Sequence, residues 1–151
     1  MNYTVLKSLG HSYGSVCHIT RLDENVRQSA FDTVFANLKE KPEQIGDDVL
    51  LKDIWEGLFV RKNQWWSPLV LWHADKPKYQ NEIAQKIGEM ISFFPPELAF
   101  KWYQAAVTCL MHHWNNIDHH RHNKFLYLIR TLLHNALVYV KKHDNKDVSE
   151  Y

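Results

Sequence analysis

Cysteine is nearly absent from this chain of 151 residues: only Cys17 and Cys109 occur, far apart and in no metal-ligand spacing. A disulfide framework is not expected, and a reducing compartment suits such a chain. Glycine and proline are scarce too, at 5 each, which supplies too few tight turns for a sandwich or a barrel. No uncharged apolar run approaches the ~18 residues that cross a bilayer, and no basic stretch followed by an apolar run opens the chain, so neither a membrane span nor a secretory signal is expected. An excess of positive charge is also missing. The formal net charge is +1, whereas a domain built to grip nucleic acid shows a basic patch or a pI above ~9.

Apolar and aromatic residues are what the chain has in quantity. The apolar share of 45% and charged share of 23% are those of a globular protein. Trp 6 and Tyr 7 supply bulk for a core, or anchors for an interface.

Along the chain, residues 1–20 lack periodicity and read as an irregular arm; 21–142 read as a helical domain and 143–151 as a polar tail. Asp23 is placed to cap a first helix with Val26, Ala30, Phe31, Val34, Phe35 and Leu38 on one face, ended by Pro42. Asp47 or Asp48 opens a second, with Val49, Leu50, Ile54, Leu58 and Phe59 as its stripe. Pro68 interrupts any helix through 61–70. Pro77 starts a third helix, facing Ile83, Ala84, Ile87, Met90, Ile91 and Phe94 inward. Pro96 and Glu97 suit the first turn of a fourth, with Ala99, Phe100, Tyr103, Ala106, Val107 and Leu110 as its stripe. Asp118 is placed to cap the last helix, whose expected core positions are Phe125, Leu128, Ile129, Leu132, Leu133, Ala136 and Val140. The fold class is all-α, about five helices in antiparallel pairs, as a HEAT-like helical repeat or a compact helical array.

Catalytic patterns are wanting. His112, His113, His119, His120 and His122 cluster around Asp118, and Asp118 and His122 share a helix face. Adjacent histidines point about 100° apart on a helix, however, and no cysteine or His-Glu-x-x-His joins them, so solvated and capping roles outweigh a zinc site. A di-iron bundle needs Glu-x-x-His, which does not occur. Neither a Gly-x-Ser-x-Gly elbow nor a phosphate-binding glycine loop is present. Cys109, three and four residues before His112 and His113, reads as a packed core thiol. No enzyme, metal, cofactor or small-molecule substrate is expected. Two surface features remain: Trp65-Trp66 as an anchor for a partner, and Arg121, Lys124, Arg130, Lys141 and Lys142 spread along the last helix.

The run from Trp114 to Arg130, with its Trp, Ile-Asp, Arg, Lys-Phe and aliphatic-Arg pattern, resembles the central motif of the ribosomal RNA processing protein 1 family, also called the Nop fifty-two family. Two further blocks are similar and in the same order: Leu51 to Phe59, and Trp72-His73-Ala74-Asp75-Lys76-Pro77. The segment Arg61 to Val70 departs from the family's spacing between those blocks. The resemblance implies a HEAT-like, non-catalytic assembly factor in large ribosomal subunit biogenesis and pre-ribosomal RNA processing. It implies a nuclear, nucleolar location, with pre-ribosomal particle proteins as partners and pre-ribosomal RNA as a second ligand. The alternatives are a general helical-repeat adaptor without an RNA role and, further off, a His-rich metal-binding enzyme. Within the motif, Trp114 and Phe125 are expected to pack at a helix corner, with Asp118 capping and Arg121 pairing to it. Lys124 and Arg130, then Arg121, Trp65 and Trp66, are the expected contacts to RNA or an acidic partner.

Overall fold

The computed structural model describes residues 24–45, 48–59, 71, 72 and 74–147. The expected arm, Asp23, the segment 61–70 with Trp65 and Trp66, and the last residues of the tail lie outside them. Among the described residues there is no strand, and the chain is all-α. Its helices are α1 (Glu24–Glu40), α2 (Asp48–Phe59), α3 (Pro77–Glu89), α4 (Pro96–His113) and α5 (His122–Asp147), with 3-10 turns at Pro42–Ile45, Met90–Phe93 and Trp114–Asn116.

Proline sets the boundaries. Lys76 is extended (φ −84°, ψ 126°) and Pro77 takes the first position of α3, where its fixed φ suits the helix and its missing N–H was unpaired anyway. At the other end Phe94 is extended (φ −99°, ψ 147°), as a residue before proline prefers, and Pro95 leads into Pro96 at the first position of α4. The polar segment from His143 to Asp147 continues α5.

Alternate helices stack side by side: α3 lies against α5, and α2 against α4. Contacts between α3 and α5 climb both in the same direction. Gln85 donates to the Tyr127 hydroxyl at 3.3 Å, Gly88 backs onto Thr131 and Asn135, and beyond α3 the Tyr139 hydroxyl donates to the Phe94 carbonyl at 2.8 Å. These two helices therefore run parallel, with α4 joining them in the chain.

Aromatic side chains join the layers. Trp55 of α2 and Trp102 of α4 are fully buried with ring centroids 4.7 Å apart, and Phe94 meets Trp102 edge-on at 5.3 Å. Each such ring removes roughly 150–250 Å² from water, about 4–6 kcal/mol at ~25 cal/mol per Å². Exposed ion pairs such as Lys86–Asp32 (2.6 Å) and Lys101–Asp48 (3.3 Å) are worth about 1 kcal/mol at most. Apolar burial therefore holds this fold.

Every expected core position of α3 is buried. Four expected core residues elsewhere are exposed: Val49, Phe100, Leu133 and Val140. Periodicity located helices correctly but not their inner faces, because α2, α4 and α5 carry apolar residues on more than one side.

Candidate functional site

Two sequence blocks whose contacting residues lie about fifty positions apart meet at one corner. Trp72 and Ala74 lie across the start of α5, and their carbonyls accept hydrogen bonds from side chains. Lys124, on the first turn of α5, is buried, and its Nζ donates to the Trp72 carbonyl at 2.6 Å and the Ala74 carbonyl at 3.0 Å. Each carbonyl has a second donor: Arg121 Nε reaches Trp72 O at 3.3 Å, and Gln80 Nε2 reaches Ala74 O at 2.7 Å. Three side chains thus fasten a loop that has no strand or helix to satisfy its backbone.

Arg121 is used three times over. Besides the Trp72 carbonyl, it pairs with the Asp118 carboxylate and lies over the Trp72 ring, 4.6 Å from its centroid. The Asp118 carboxylate also accepts the Arg121 backbone N–H at 3.2 Å. Asp118 was expected to cap α5, and its position corrects that. The Arg121 carbonyl accepts the first helical bond, from Phe125 N–H at 3.4 Å, so Arg121 is the capping residue. Asp118 closes the tight turn one step earlier. Around this turn, Trp114 stacks on His122 (5.4 Å, 10°), and fully buried Phe125 meets the Trp72 ring edge-on at 6.1 Å.

The electrostatics follow from the geometry. Burial pulls the Lys124 amine down from 10.5 to about 8, the Arg121 charge adds to the fall, and Asp75 and Asp118 oppose it. Burial pushes the Asp118 carboxyl upward, but the hydrogen bonds and charge of Arg121 outweigh that and hold it below its usual value.

Lys124, expected on a contact surface, is therefore turned inward as a structural donor. Arg121 is likewise committed within the fold. Arg130 is exposed, and among the described residues it has no acidic partner. Trp65 and Trp66 lie outside the described residues. The His119 ring touches those of His120 (5.9 Å) and His122 (6.2 Å), His122 also stacks on Trp114, and His112 and His113 touch each other at 4.7 Å. Among the described residues no group of three His, Cys, Asp or Glu side chains is placed to hold a metal ion. Cys109 is buried beside a groove of about 660 Å³ between α2 and α4, which Leu51, Phe100, Lys101 and Ala105 also line.

Sequence reasoning missed the receiving half of this corner, the Trp72 and Ala74 carbonyls, because backbone acceptors leave no trace in side-chain pattern. One signal was available. Lys124 stands four residues before Leu128 and next to Phe125, on the apolar side of α5.

A family model described as nucleolar protein, Nop52, matches residues 16–151. The ribosomal RNA processing protein 1 homolog of Dictyostelium discoideum is 30% identical over 105 residues, 69% of this chain and 19% of that protein. Homolog A of Homo sapiens is 32% identical over 95 residues, 62% of this chain and 18% of its own length, and homolog A of Mus musculus is 32% identical over 95 residues, with 62% and 17% covered. The chain spans less than a fifth of the length of these curated relatives.

Proposed function

This chain belongs to the Nop52 nucleolar protein family, and from that premise we propose that it is a non-catalytic helical scaffold in ribosome biogenesis and ribosomal RNA processing. It works in the nucleolus, on precursors of the large subunit, by holding assembly proteins in place. The observation that carries this reading is the family match over residues 16–151, together with relatives named for ribosomal RNA processing.

The geometry favours protein contacts before RNA contacts. Of the three cations in the family-like motif, Lys124 and Arg121 are consumed by the corner and Arg130 alone is left outward. With a net charge of +1, few phosphates would be neutralised by this segment. Stacking of alternate helices is also what an extendable helical-repeat array requires, since each helix offers a side to the next.

Affinity purification from cells is the test. Large-subunit precursor RNAs and their assembly proteins co-purify with the tagged protein if the reading is right. Their consistent absence, with intact tagged protein recovered, refutes it.

A further inference from the structure

Helix α5 is apolar on two distinct sides. Phe125, Leu128 and Leu132 are buried on the side of α5 that packs against α3 and the Met90–Phe93 turn. Leu126, Leu133, Leu137 and Val140 form a second row at steps of three, four and seven residues, and they are 38%, 48%, 62% and 52% exposed. At 3.6 residues per turn this row is centred roughly 120° around the helix from the buried one. A helix apolar on both sides is normally covered on both. Arg130 and Lys141 border this row on one side, both exposed and, among the described residues, without acidic partners.

We propose that this outer face of α5 is the docking surface for an amphipathic helix of a partner protein. That helix carries an apolar stripe with carboxylates about three turns apart, spaced to meet Arg130 and Lys141. Eleven residues separate those cations, about 16 Å along the axis. The leucines supply the burial, and the two charges set register and choice of partner.

Charge decides against a second copy of this chain. Pairing two α5 rows in parallel brings Arg130 onto Arg130 and Lys141 onto Lys141. Antiparallel pairing centred on Leu133 and Leu137 brings Arg130 beside Val140 and Lys141 of the copy. Both arrangements set like charges together in a desolvated seam. Nucleic acid complements the cations but offers nothing to the leucines between them. The inference gives the scaffold reading a partner class, and rests on it in taking α5 as a contact surface.

The test uses a labelled synthetic helix of about 21 residues, six turns, with leucine on one stripe and glutamate opposite Arg130 and Lys141. A control peptide has lysine at those two positions. Binding to the full chain is read by fluorescence anisotropy. The acidic peptide is expected to bind at least about tenfold tighter than the control, the scale of a close charge pair set against a like-charge one. Arg130→Glu should erase that preference, and Arg130→Glu with Lys141→Glu should invert it. Leu137→Asp should abolish binding while the thermal melt stays unchanged, since Leu137 is outside the core. Equal binding of both peptides, binding of neither, dimerisation of the chain that Leu137→Asp removes, or displacement of the peptide by a single-stranded RNA oligonucleotide each overturns the proposal. Failure here leaves the co-purification result standing, and failure there leaves the peptide result standing, so the two readings fall separately.

Discussion

Replacing Lys124 with methionine removes a charge that the fold keeps out of water at a cost. In the folded chain the amine sits at about 8, against 10.5 in a solvated lysine. Below pH 8 both folded and unfolded chains are protonated, and the folded one bears the full penalty. Between about pH 8 and 10.5 the unfolded chain binds more protons, so stability rises with pH across that window. Methionine cannot titrate, so the difference between the two proteins isolates this lysine from every other group. The two pKa values set a ceiling of about 2 kcal/mol gained by the lysine form between about pH 7 and pH 9.5. Residual water at the rim of the corner cuts the expected gain to about 1 kcal/mol. At neutral pH the methionine variant should itself lose only about 1 kcal/mol: two charge-assisted bonds go, but each carbonyl keeps its second donor and a desolvated ammonium disappears. Urea unfolding followed by far-UV circular dichroism and tryptophan fluorescence at the two pH values measures both quantities. A gap between the proteins that stays constant or narrows as pH rises would refute the claim that Lys124 is a desolvated internal donor.

Three further outcomes follow from the same packing. Gly88→Ala places a Cβ 2.6 Å from Thr131 Cγ2 and 3.2 Å from the Thr131 backbone oxygen, so α3 and α5 must separate; about 1–3 kcal/mol of stability is lost, and an unchanged urea midpoint would show that the helices are not this close. Asp118→Asn should destabilise the chain at neutral pH. Because the Asp118 carboxyl is held below its solvated 3.8, the deficit is present above that pH and disappears as pH falls through the folded value; a deficit that persists in acid points to packing instead of charge. The neighbours Leu132 and Leu133 point about 100° apart on α5, one buried and the other 48% exposed, so Leu132→Ala should cost about 2–5 kcal/mol and Leu133→Ala under about 1, and equal losses would contradict the two-sided helix.

How much of this was legible in the sequence depends on what kind of signal each feature leaves. Helix starts at Pro77 and Pro96 were readable because proline acts through its own covalent geometry, whatever surrounds it. The inner face of α3 was readable because its stripe is alone on the helix. The inner face of α5 was not. Leu132 and Leu133 are equally apolar, and only the position of α3 decides which one is buried. Lys124 misled for the opposite reason. Charge is a reliable sign of the surface until acceptors are gathered around it, and here the acceptors are backbone carbonyls contributed from fifty residues away.

That distance explains why the family-like blocks occur together. The Trp72 block supplies carbonyls and a ring; the Trp114–Arg130 block supplies the cations that grip them. Altering either block alone strips donors from acceptors or acceptors from a buried ammonium, and both changes carry a penalty. The corner therefore accounts for the motif through folding alone, without any ligand. With Lys124 and Arg121 committed to the corner, Arg130 is the cation of the motif left outward. Leu133, Leu137 and Val140 have no structural task in the described fold, yet they stay apolar in open water. Surface of that kind, bordered by cations that have no acidic partner among the described residues, is where the bound state should bury what the free chain leaves exposed.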